Sequence, residues 1–415
     1  MDNLNKRIWI VNYYSSPPEY VSNPRHIEFA KHLLDKGHDV TIFSSGYLAD
    51  KKIELVHGQR KYSEVQYDLL KFVHIRVKHY TGNGIARMVS IFQFAYRIFK
   101  YRKKFLKPDI ILHNIHAPFD YPILWCANRL KSKYIVEAWD LWPDSFVRFG
   151  LISENNPLTK LAYWIERRLY EKSDKIIFTF EGGKDYLKDR NWTIDSGGKI
   201  DIKKIYYINN GVNISEFNSN TESFQIHDDD LENDDYFKVV YLGSIRLVND
   251  VKNLIDAADS LKDNKKYKFL IYGDGSDRDF LENYCKIKSI NNVIFKEKWI
   301  PFSHVPYVLS KSSLNILNYQ KDFGLYGISS GKFFQYLASG KPICCNIELN
   351  YDLITKHKIG IAKDLKTNHE YAAVIQEIAN LDTEEYNAMC LRVDELAKQF
   401  DTKVMSGKLL NIIEE

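Results

Sequence analysis

The chain has 415 residues, 45% of them hydrophobic, so it is long and apolar enough for two globular domains, which excludes a disordered chain. Its 58 basic and 54 acidic residues leave a formal net charge of +4, and this small total does not indicate a nucleic-acid partner. The five cysteines are odd in number and lack the paired spacing of a zinc site, so we interpret them as reduced, buried thiols of a cytoplasmic protein.

The sequence begins polar, carries no export signal and has no run near the ~18 consecutive apolar residues of a membrane span, so we expect no transmembrane anchor.

Six apolar runs in the first half of the chain predict β-strands. The runs are RIWIVNY (7–13), DVTIFSS (39–45), DIILHNI (109–115), KYIVEAW (133–139), DKIIFTF (174–180) and KIYYINN (204–210). Short strands that alternate with helical patterns are typical of a parallel sheet. We therefore predict a Rossmann-like, doubly wound domain over residues 1–210.

The segment 87–107, RMVSIFQFAYRIFKYRKKFLK, has seven basic residues and no acidic one. Its apolar residues fall near helical spacing, which predicts a helix with an apolar face beside a cationic one. Such a helix can lie on an anionic membrane surface, where each basic residue contributes about 1 kcal/mol. The alternative is a helix packed on the sheet with a solvated basic edge.

Two polar clusters follow predicted strands of this first domain. His113 and His116 end the run DIILHNI, where a histidine can donate to a substrate hydroxyl or accept its proton, although a structural histidine fits equally well. In VEAWDLWPDSF, Asp140 lies between Trp139 and Trp142, which can form a sugar-stacking surface or belong to the core.

The stretch 211–236 is acidic and poor in apolar residues after Phe217, so we predict a surface linker. Its run Asp228, Asp229 and Asp230 resembles a metal-binding carboxylate cluster. Because these residues do not follow an apolar strand, we interpret them as a solvated charge run.

The second half repeats the strand and helix alternation and predicts a second doubly wound domain over residues 211–401. The strand candidates are 237–243, 267–273, 292–298, 313–319 and 341–346, with helices beginning near Val251, Asp277, Ser303 and Gly331. A final helix over 402–415 can pack back on the first domain. Ligands of such sheets gather beyond the carboxyl ends of the strands, so we expect two parallel-sheet α/β domains that face a crevice.

Two helix starts in the second domain have the features of anion sites. Ser329, Ser330 and Gly331 precede an apolar helix with Lys332 in its first turn, and backbone N–H groups there can bind a phosphate. Gly340 then fits the C′ position of this helix. In GSIRLVNDVKNLI (243–255), Arg246 and Lys252 can neutralise a diphosphate. The alternative is an ordinary βα turn in the first case and solvent-facing cations in the second.

These segments together resemble a bacterial family 4 glycosyltransferase of the GT-B fold, in the cell-surface polysaccharide branch that includes fucosamine transferases. The resemblance rests on the ordered segments GHDVTIFSS, DLWPDSFVRFGLISENNPLTKL, NNGVNISEF, VVYLGSIR, LIYGDG, NVIFKEKWIP and YGISSGKFFQYLASGKPI. It implies a nucleotide-sugar donor in the second domain, an acceptor in the first, and transfer with retention of the anomeric configuration. It implies no metal or other cofactor.

The resemblance also assigns site residues. It implies a catalytic role for His116 and Arg246, with Arg25 and Asp140 as acceptor-side candidates. The implied donor-binding residues are Gly243, Arg246, Lys252, Ile300, Ser329, Ser330, Gly331, Lys332 and Gln335.

The chain departs from the family pattern at two positions. The family commonly has two glutamates eight residues apart, where this sequence has Gly327 and Gln335. Gln335 can hydrogen-bond a ribose but carries no charge, and Gly327 cannot replace a carboxylate. The first loop differs as well, because it offers Ser22, Asn23, Arg25 and His26 in place of a glycine-rich turn.

The sequence thus predicts a metal-independent retaining glycosyltransferase that moves a hexosyl or N-acetylhexosaminyl group from a UDP donor to a lipid-linked saccharide. The product would be a surface polysaccharide such as capsule or O-antigen. We expect a cytoplasmic protein that is peripheral on the inner face of the plasma membrane. The alternatives are a nucleotide-sugar epimerase and a catalytically inactive GT-B partner subunit.

Overall fold

The computed structural model describes residues 5–21, 24–82, 84–148, 150–320, 325–327 and 329–415. The chain forms two compact units. Unit 1 comprises Met1–Asn209 and Lys403–Glu415, and unit 2 comprises Asn210–Thr402. No helix of the described residues is both long and apolar enough to cross a membrane.

Unit 1 contains an eight-stranded sheet whose strands are parallel apart from one at an edge. Its strands are β1 (Arg7–Val11), β2 (Asp39–Ser45), β5 (Tyr62–Tyr67), β6 (Leu70–Ile75), β7 (Ile110–Asn114), β8 (Lys133–Ala138), β9 (Lys175–Phe178) and β10 (Ile205–Tyr207), in the order β10-β9-β8-β7-β1-β2-β6-β5. A separate antiparallel pair is formed by β3 (Tyr47–Leu48) and β4 (Ile53–Glu54). All six predicted strands of this half are present.

The prediction missed the hairpin of β5 and β6, which pairs antiparallel. Its outer strand β5 alternates half-buried and exposed residues, in contrast to the buried runs of the central strands. A search for continuous apolar runs does not detect this alternation, which is typical of an edge strand with one solvated face.

Helices cover the unit 1 sheet. They are α1 (Arg25–Asp35), α2 (Ile85–Tyr101), α3 (Pro122–Leu130), α4 (Asp144–Arg148), α5 (Pro157–Lys172) and α6 (Gly183–Asp189), with short 3-10 turns at Pro18–Tyr20, Arg102–Lys104, Ile194–Ser196 and Ile202–Lys204. The carboxyl-terminal helix of the chain reaches this unit, because Lys6 Nζ donates to the carbonyl of Ile413 at 2.6 Å.

The predicted helix of segment 87–107 is α2, which begins earlier and ends at Tyr101. The residues Ile91, Phe94, Ala95 and Ile98 of its expected apolar face are buried in the core. The packed-helix interpretation therefore holds for that face.

Unit 2 is built on a six-stranded, entirely parallel sheet. Its strands are β11 (Phe237–Leu242), β12 (Tyr267–Tyr272), β13 (Val293–Phe295), β14 (Leu314–Leu317), β15 (Ile343–Cys345) and β16 (Gly360–Ala362), in the order β13-β12-β11-β14-β15-β16. Its helices are α7 (Ile214–Ser223), α8 (Asp229–Glu232), α9 (Val251–Asp259), α10 (Arg278–Lys288), α11 (Val305–Ser310), α12 (Gly331–Ala338), α13 (Leu353–Lys356), α14 (Asn368–Ala379) and α15 (Thr383–Gln399), and 3-10 turns lie at Leu247–Asn249 and Phe302–His304. The last helix, α16 (Thr402–Glu414), follows.

The two doubly wound sheets confirm the predicted fold class. In unit 2, α9 begins at the predicted Val251 and α12 at the predicted Gly331. Gly340 has φ +66° just after α12, as expected of a residue at C′.

The prediction of a linker over 211–236 is wrong in part, because α7 and α8 form there. Phe217 of α7 is buried, and a single buried aromatic residue per helix is too weak a signal to detect from the sequence. Asp228 caps α8, and Asp228 and Asp230 both form ion pairs with Lys296. These carboxylates are therefore structural, and the described residues contain no group of three or more His, Cys, Asp or Glu side chains arranged to hold a metal ion.

Candidate functional site

In unit 2, the loops after β11 and β12 pack backbone against backbone. A Cβ atom on Gly273 would lie 1.9 Å from the carbonyl oxygen of Gly243, and one on Gly275 would lie 2.1 Å from that of Ile245. Only glycine permits this approach. The segment LIYGDG is therefore required for packing, and it fixes the position of Gly243 at the carboxyl end of β11.

Lys332 lies beside that loop. A Cβ atom on Gly243 would lie 3.1 Å from Lys332 Nζ, and the ammonium lies over the Tyr241 ring at 4.8 Å and 3.5 Å from its hydroxyl. No carboxylate of a described residue forms an ion pair with it. Burial lowers the pKa of Lys332 to about 8. A partly buried cation with these neighbours would gain from a bound anion.

The amino terminus of α12 is open to a ligand. Ser330 is its N-cap residue, but the Ser330 side chain makes no capping hydrogen bond to the first turn. A Cβ atom on Gly331 would meet no atom of the described residues within 4 Å. Ser329 is held by Asn210, whose Nδ2 donates to its carbonyl at 2.6 Å. Backbone N–H groups, open space and Lys332 thus occur together, which is the chemistry of an anion site.

Gln335 lies one helical turn after Gly331 on α12. Its side chain is half-buried and makes no hydrogen bond to a described residue. Gly327 has φ +101°, a conformation that favours glycine. The structure thus provides a glutamine amide beside the α12 amino terminus and a backbone turn at Gly327.

The two cations of the 243–255 segment differ. Arg246 is exposed and forms no ion pair within the described part of the chain. Lys252 is paired with Asp256 at 2.6 Å and lies over the Tyr284 ring at 4.8 Å. Lys252 therefore has a carboxylate partner on its own helix, and the expected binding of one anion by Arg246 and Lys252 stays a prediction. Ile300 is half-buried in the loop after β13.

A cavity of about 570 Å3 in unit 2 lies elsewhere. Its lining includes Lys238 and Ser313, which are at the amino-terminal ends of β11 and β14. None of the predicted donor-binding residues lines it. Because ligands of parallel sheets gather at the carboxyl ends of strands, we assign the α12 amino terminus, and not this cavity, as the candidate site.

In unit 1, His116 is buried just beyond the carboxyl end of β7 and is held by Asp120. The Asp120 carboxylate accepts from the His116 backbone N–H, lies 3.7 Å from His116 Nδ1 and lies 3.1 Å from His113 Nε2. Burial alone would raise the pKa of Asp120, but His113 and His116 lower it below its usual value. A buried carboxylate of this kind fixes the orientation of an imidazole.

Aromatic and charged side chains surround His116. The Tyr14 ring lies 4.9 Å from the imidazole and the Trp142 ring 6.2 Å from it. Arg87 Nε donates to the Tyr14 hydroxyl at 2.8 Å. Asp140 is exposed and interacts electrostatically with His116 and Arg87. Tyr14, Arg87, His116, Asp140 and Trp142 therefore form one polar and aromatic cluster.

Arg25 does not belong to that cluster. Its guanidinium donates to Glu137 Oε1 at 2.7 Å and to the carbonyls of Ile208 and Asn209. His26 Nε2 lies 2.7 Å from Glu137 Oε2. Burial alone would raise the pKa of Glu137, but the charges of Arg25 and His26 lower it to about 2. Arg25 is 4% exposed, so its contacts favour a structural role, and its expected acceptor contact stays a prediction.

The sequence analysis missed Asp120, Tyr14 and Arg87 as site residues. Asp120 follows His116 by four positions, and a carboxylate at that distance from a candidate histidine is a usable signal. Tyr14 offers no comparable pattern, and Arg87 was counted only with the basic residues of α2. Ser22 and Asn23 of the first loop lie outside the described residues.

Two protein-family models match the chain. The model described as Glycosyltransferase Family 4 matches residues 25–216, and the model described as Glycosyl transferases group 1 matches residues 222–393. A comparison with curated proteins finds no match.

Solved structures of glycosyltransferases resemble the whole chain. A sucrose-phosphate synthase from Thermosynechococcus elongatus is 14% identical, with a TM-score of 0.72 over 99% of this chain and 98% of that one. Anabaena Alr3699/HepE in complex with UDP and glucose is 13% identical, with a TM-score of 0.66 over 99% and 100%. WaaG, a glycosyltransferase involved in lipopolysaccharide biosynthesis, is 12% identical, with a TM-score of 0.67 over 98% and 99%. At these identities the likeness establishes the fold.

Proposed function

The chain belongs to the GT-B glycosyltransferases, and from this premise we propose that it transfers a sugar from a UDP donor to a lipid-linked saccharide with retention of configuration. The observation that carries the donor assignment is Lys332, a partly buried lysine beside the open amino terminus of α12. A diphosphate supplies the negative charge that this position lacks. UDP is favoured because HepE, a structural neighbour, was solved with UDP.

The donor would bind through its diphosphate and its nucleoside. Backbone N–H groups at Ser330 and Gly331 donate hydrogen bonds to phosphate oxygens, and the Lys332 ammonium neutralises the charge of the phosphate. Gln335, one turn further along α12, offers its amide to ribose hydroxyls. Ile300 lies against the nucleobase. Because Lys252 is paired with Asp256, we assign the second cation of the donor site to Arg246 alone.

The chemistry requires charge stabilisation more than proton transfer from a side chain. The bond between the anomeric carbon and the diphosphate oxygen breaks, and the acceptor oxygen bonds to that carbon from the same face. The acceptor proton passes to the departing phosphate. Arg246 and Lys332 hold the charge that develops on the diphosphate, so no protein nucleophile is needed.

His116 would contact the transferred sugar. Asp120 fixes its imidazole, and Tyr14 and Trp142 offer rings on which a pyranose can stack. Gly327 brings no carboxylate to the sugar, so we attribute selection of the transferred sugar to the groups around His116.

We assign the acceptor to unit 1 and to a membrane. The exposed basic residues Lys100, Lys103 and Lys104, at the end of α2 and just after it, suit an anionic membrane surface such as the cytoplasmic face of the plasma membrane. A lipid-linked saccharide in that membrane, used for a surface polysaccharide, fits this position.

Purified protein supplied with radiolabelled nucleotide sugars and lipid-linked acceptors tests the proposal. We expect transfer from a UDP-sugar, and we expect Arg246→Ala to lower turnover at least tenfold while the melting temperature stays unchanged. Equal loss of turnover and stability would contradict the role of Arg246. Conversion of free nucleotide sugar without acceptor would indicate an epimerase, and UDP binding without turnover would indicate an inactive partner subunit.

A further inference from the structure

Three helices of unit 1 lie side by side on one face of its sheet. The connections β6-α2-β7, β7-α3-β8 and β8-α5-β9 all run in the same direction along the strand order. Because such crossovers are right-handed, their helices cover the same face, with α3 between α2 and α5.

The outward side of α2 is apolar. Ile85 is 77% exposed, and Val89, Phe92 and Tyr96 are exposed as well. These residues recur at spacings of four, three and four, so they form one stripe, opposite the buried stripe of Ile91 and its neighbours. The rings of Phe92 and Tyr96 stack with centroids 6.1 Å apart.

The helices α3 and α5 on the same face also expose apolar side chains. Trp125 of α3 is 47% exposed and its ring lies 5.9 Å from that of Phe99 on α2. On α5, Leu158 is 74%, Leu161 51% and Trp164 52% exposed. The α5 residues were not identified from the sequence, because the membrane prediction rested on the basic residues of segment 87–107 and therefore concerned α2 alone.

The charge around this surface is positive. Neither α2 nor α3 contains an acidic residue. On α5, Glu166 is buried, and Glu171 forms ion pairs with Arg167 and Arg168. The exposed Lys160 and Lys172 of α5 add positive charge to this helix. The Arg168 guanidinium lies over the Trp164 ring, 5.6 Å from its centroid.

We propose that the exposed faces of α2, α3 and α5 form one membrane-docking surface, with α5 as a second anchor beside α2. This inference deepens the membrane partner of the proposed function and rests on it. Amphipathic Trp and Tyr rings settle at the headgroup level, aliphatic side chains enter the acyl boundary, and lysines meet anionic headgroups. The positive charge and the distribution of exposed apolar residues over three helices favour an anionic bilayer over a single partner helix.

Flotation of the full chain with vesicles tests the α5 anchor. We expect the protein to float with phosphatidylcholine vesicles that contain phosphatidylglycerol, and less with phosphatidylcholine alone. Leu161→Ser and Trp164→Ser should each lower partitioning about three- to tenfold, as should Phe92→Ser on α2. The matched control is Leu391→Ser, since Leu391 is a helical leucine of unit 2 that is 64% exposed.

The outcomes separate this inference from the donor assignment. Unchanged flotation of Leu161→Ser and Trp164→Ser would overturn the α5 anchor, and so would failure of the unaltered protein to bind anionic vesicles. A dimer that these variants convert to a monomer, without an effect on flotation, would show the surface to be a protein interface. Calorimetric binding of UDP should be the same in all variants, so its absence would count against the donor site alone.

Discussion

Lys332 is the residue whose chemistry is most directly testable. Its pKa is about 8, because burial disfavours the ammonium and no described carboxylate offsets that cost. Below pH 8 the side chain is protonated and can hold a diphosphate. Above pH 8 it loses its proton, so we expect the affinity for UDP to fall with rising pH, by up to about tenfold per pH unit. Calorimetry of UDP binding between pH 7 and pH 10 measures this.

The control is Lys332→Arg, because a guanidinium stays charged over this range. The variant should bind UDP with an affinity that changes little up to pH 10, whereas Lys332→Met should bind weakly at every pH. The assignment of Lys332 would be contradicted by a pH profile that is the same in the original chain and in Lys332→Met.

Arg25 makes the opposite prediction, because its buried contacts favour a structural role. Removing its guanidinium leaves Glu137 charged, buried and without its main partner, and frees the carbonyls of Ile208 and Asn209. We expect Arg25→Met to lower the free energy of unfolding by about 3–5 kcal/mol. Denaturant unfolding followed by circular dichroism measures the change.

The double variant Arg25→Met with Glu137→Met distinguishes the ion pair from a general packing effect. It removes both charges, so it should be more stable than Arg25→Met alone. If Arg25 bound the acceptor, as the sequence indicated, Arg25→Met would keep its stability and lose only activity.

At the scale of elements, α12 joins the fold to the candidate site. Its Phe333, Phe334, Tyr336 and Leu337 are buried, while Gly331 and Gln335 lie away from the core. Since a Cβ atom on Gly331 would meet no atom of the described residues within 4 Å, packing against that part of the chain does not require a glycine there. A phosphate that approaches the backbone does require it.

Gly331→Ala therefore separates packing from binding. The free energy of unfolding should stay the same or rise by up to about 1 kcal/mol, because alanine restricts the unfolded chain. The affinity for UDP should fall about tenfold or more, because the methyl group occupies the phosphate position. Thermal melting and calorimetry on the same sample measure both.

Gly407→Ala is the matched control for this variant. Gly407 lies within α16 and a Cβ atom there also meets nothing within 4 Å. This variant should gain a similar stability and bind UDP unchanged. Equal UDP affinities in Gly331→Ala and Gly407→Ala would argue against a ligand at the start of α12.

The sequence predicted elements well where one signal dominated. Central strands such as β7 and β11 are buried apolar runs, and α12 is delimited by Gly331 and Gly340, so these were found. The edge hairpin of β5 and β6 and the helix α7 were missed, because partial burial leaves only an alternating or sparse apolar pattern.

For site residues, the sequence predicted local placement better than contacts with residues distant in the chain. The placement of Lys332 in the first turn of α12 follows from local sequence, since the start of this helix is delimited by Ser330 and Gly331. The roles of Arg25 and Lys252 stay predictions. The pairing of Arg25 with a glutamate distant in sequence depends on the tertiary fold, whereas Lys252 pairs with an aspartate one turn along its own helix. The sequence of a motif shows that a residue is charged, whereas an ion-pair partner that is distant in sequence is identified only from the structure.

At the scale of the whole molecule, the two units have separate sheets, and the β11-centred core of unit 2 is formed within that unit. The candidate donor residues, from Gly243 to Gln335, all belong to unit 2, whereas His116 and Arg87 belong to unit 1. A ligand held by unit 2 alone stabilises that unit against local unfolding, because it binds the folded form and not the unfolded one.

Amide hydrogen exchange measured in the presence of UDP therefore tests whether unit 2 alone binds the nucleotide. At a UDP concentration of 100 times the dissociation constant, amides of the unit 2 core should gain about 2.7 kcal/mol of protection. Amides of β7 and β8 in unit 1 should change much less, since UDP lacks the transferred sugar that we assign to His116. In Lys332→Met the same UDP concentration should give little protection in either unit. Protection confined to unit 1, or retained in full by Lys332→Met, would contradict the assignment of the donor to the α12 amino terminus.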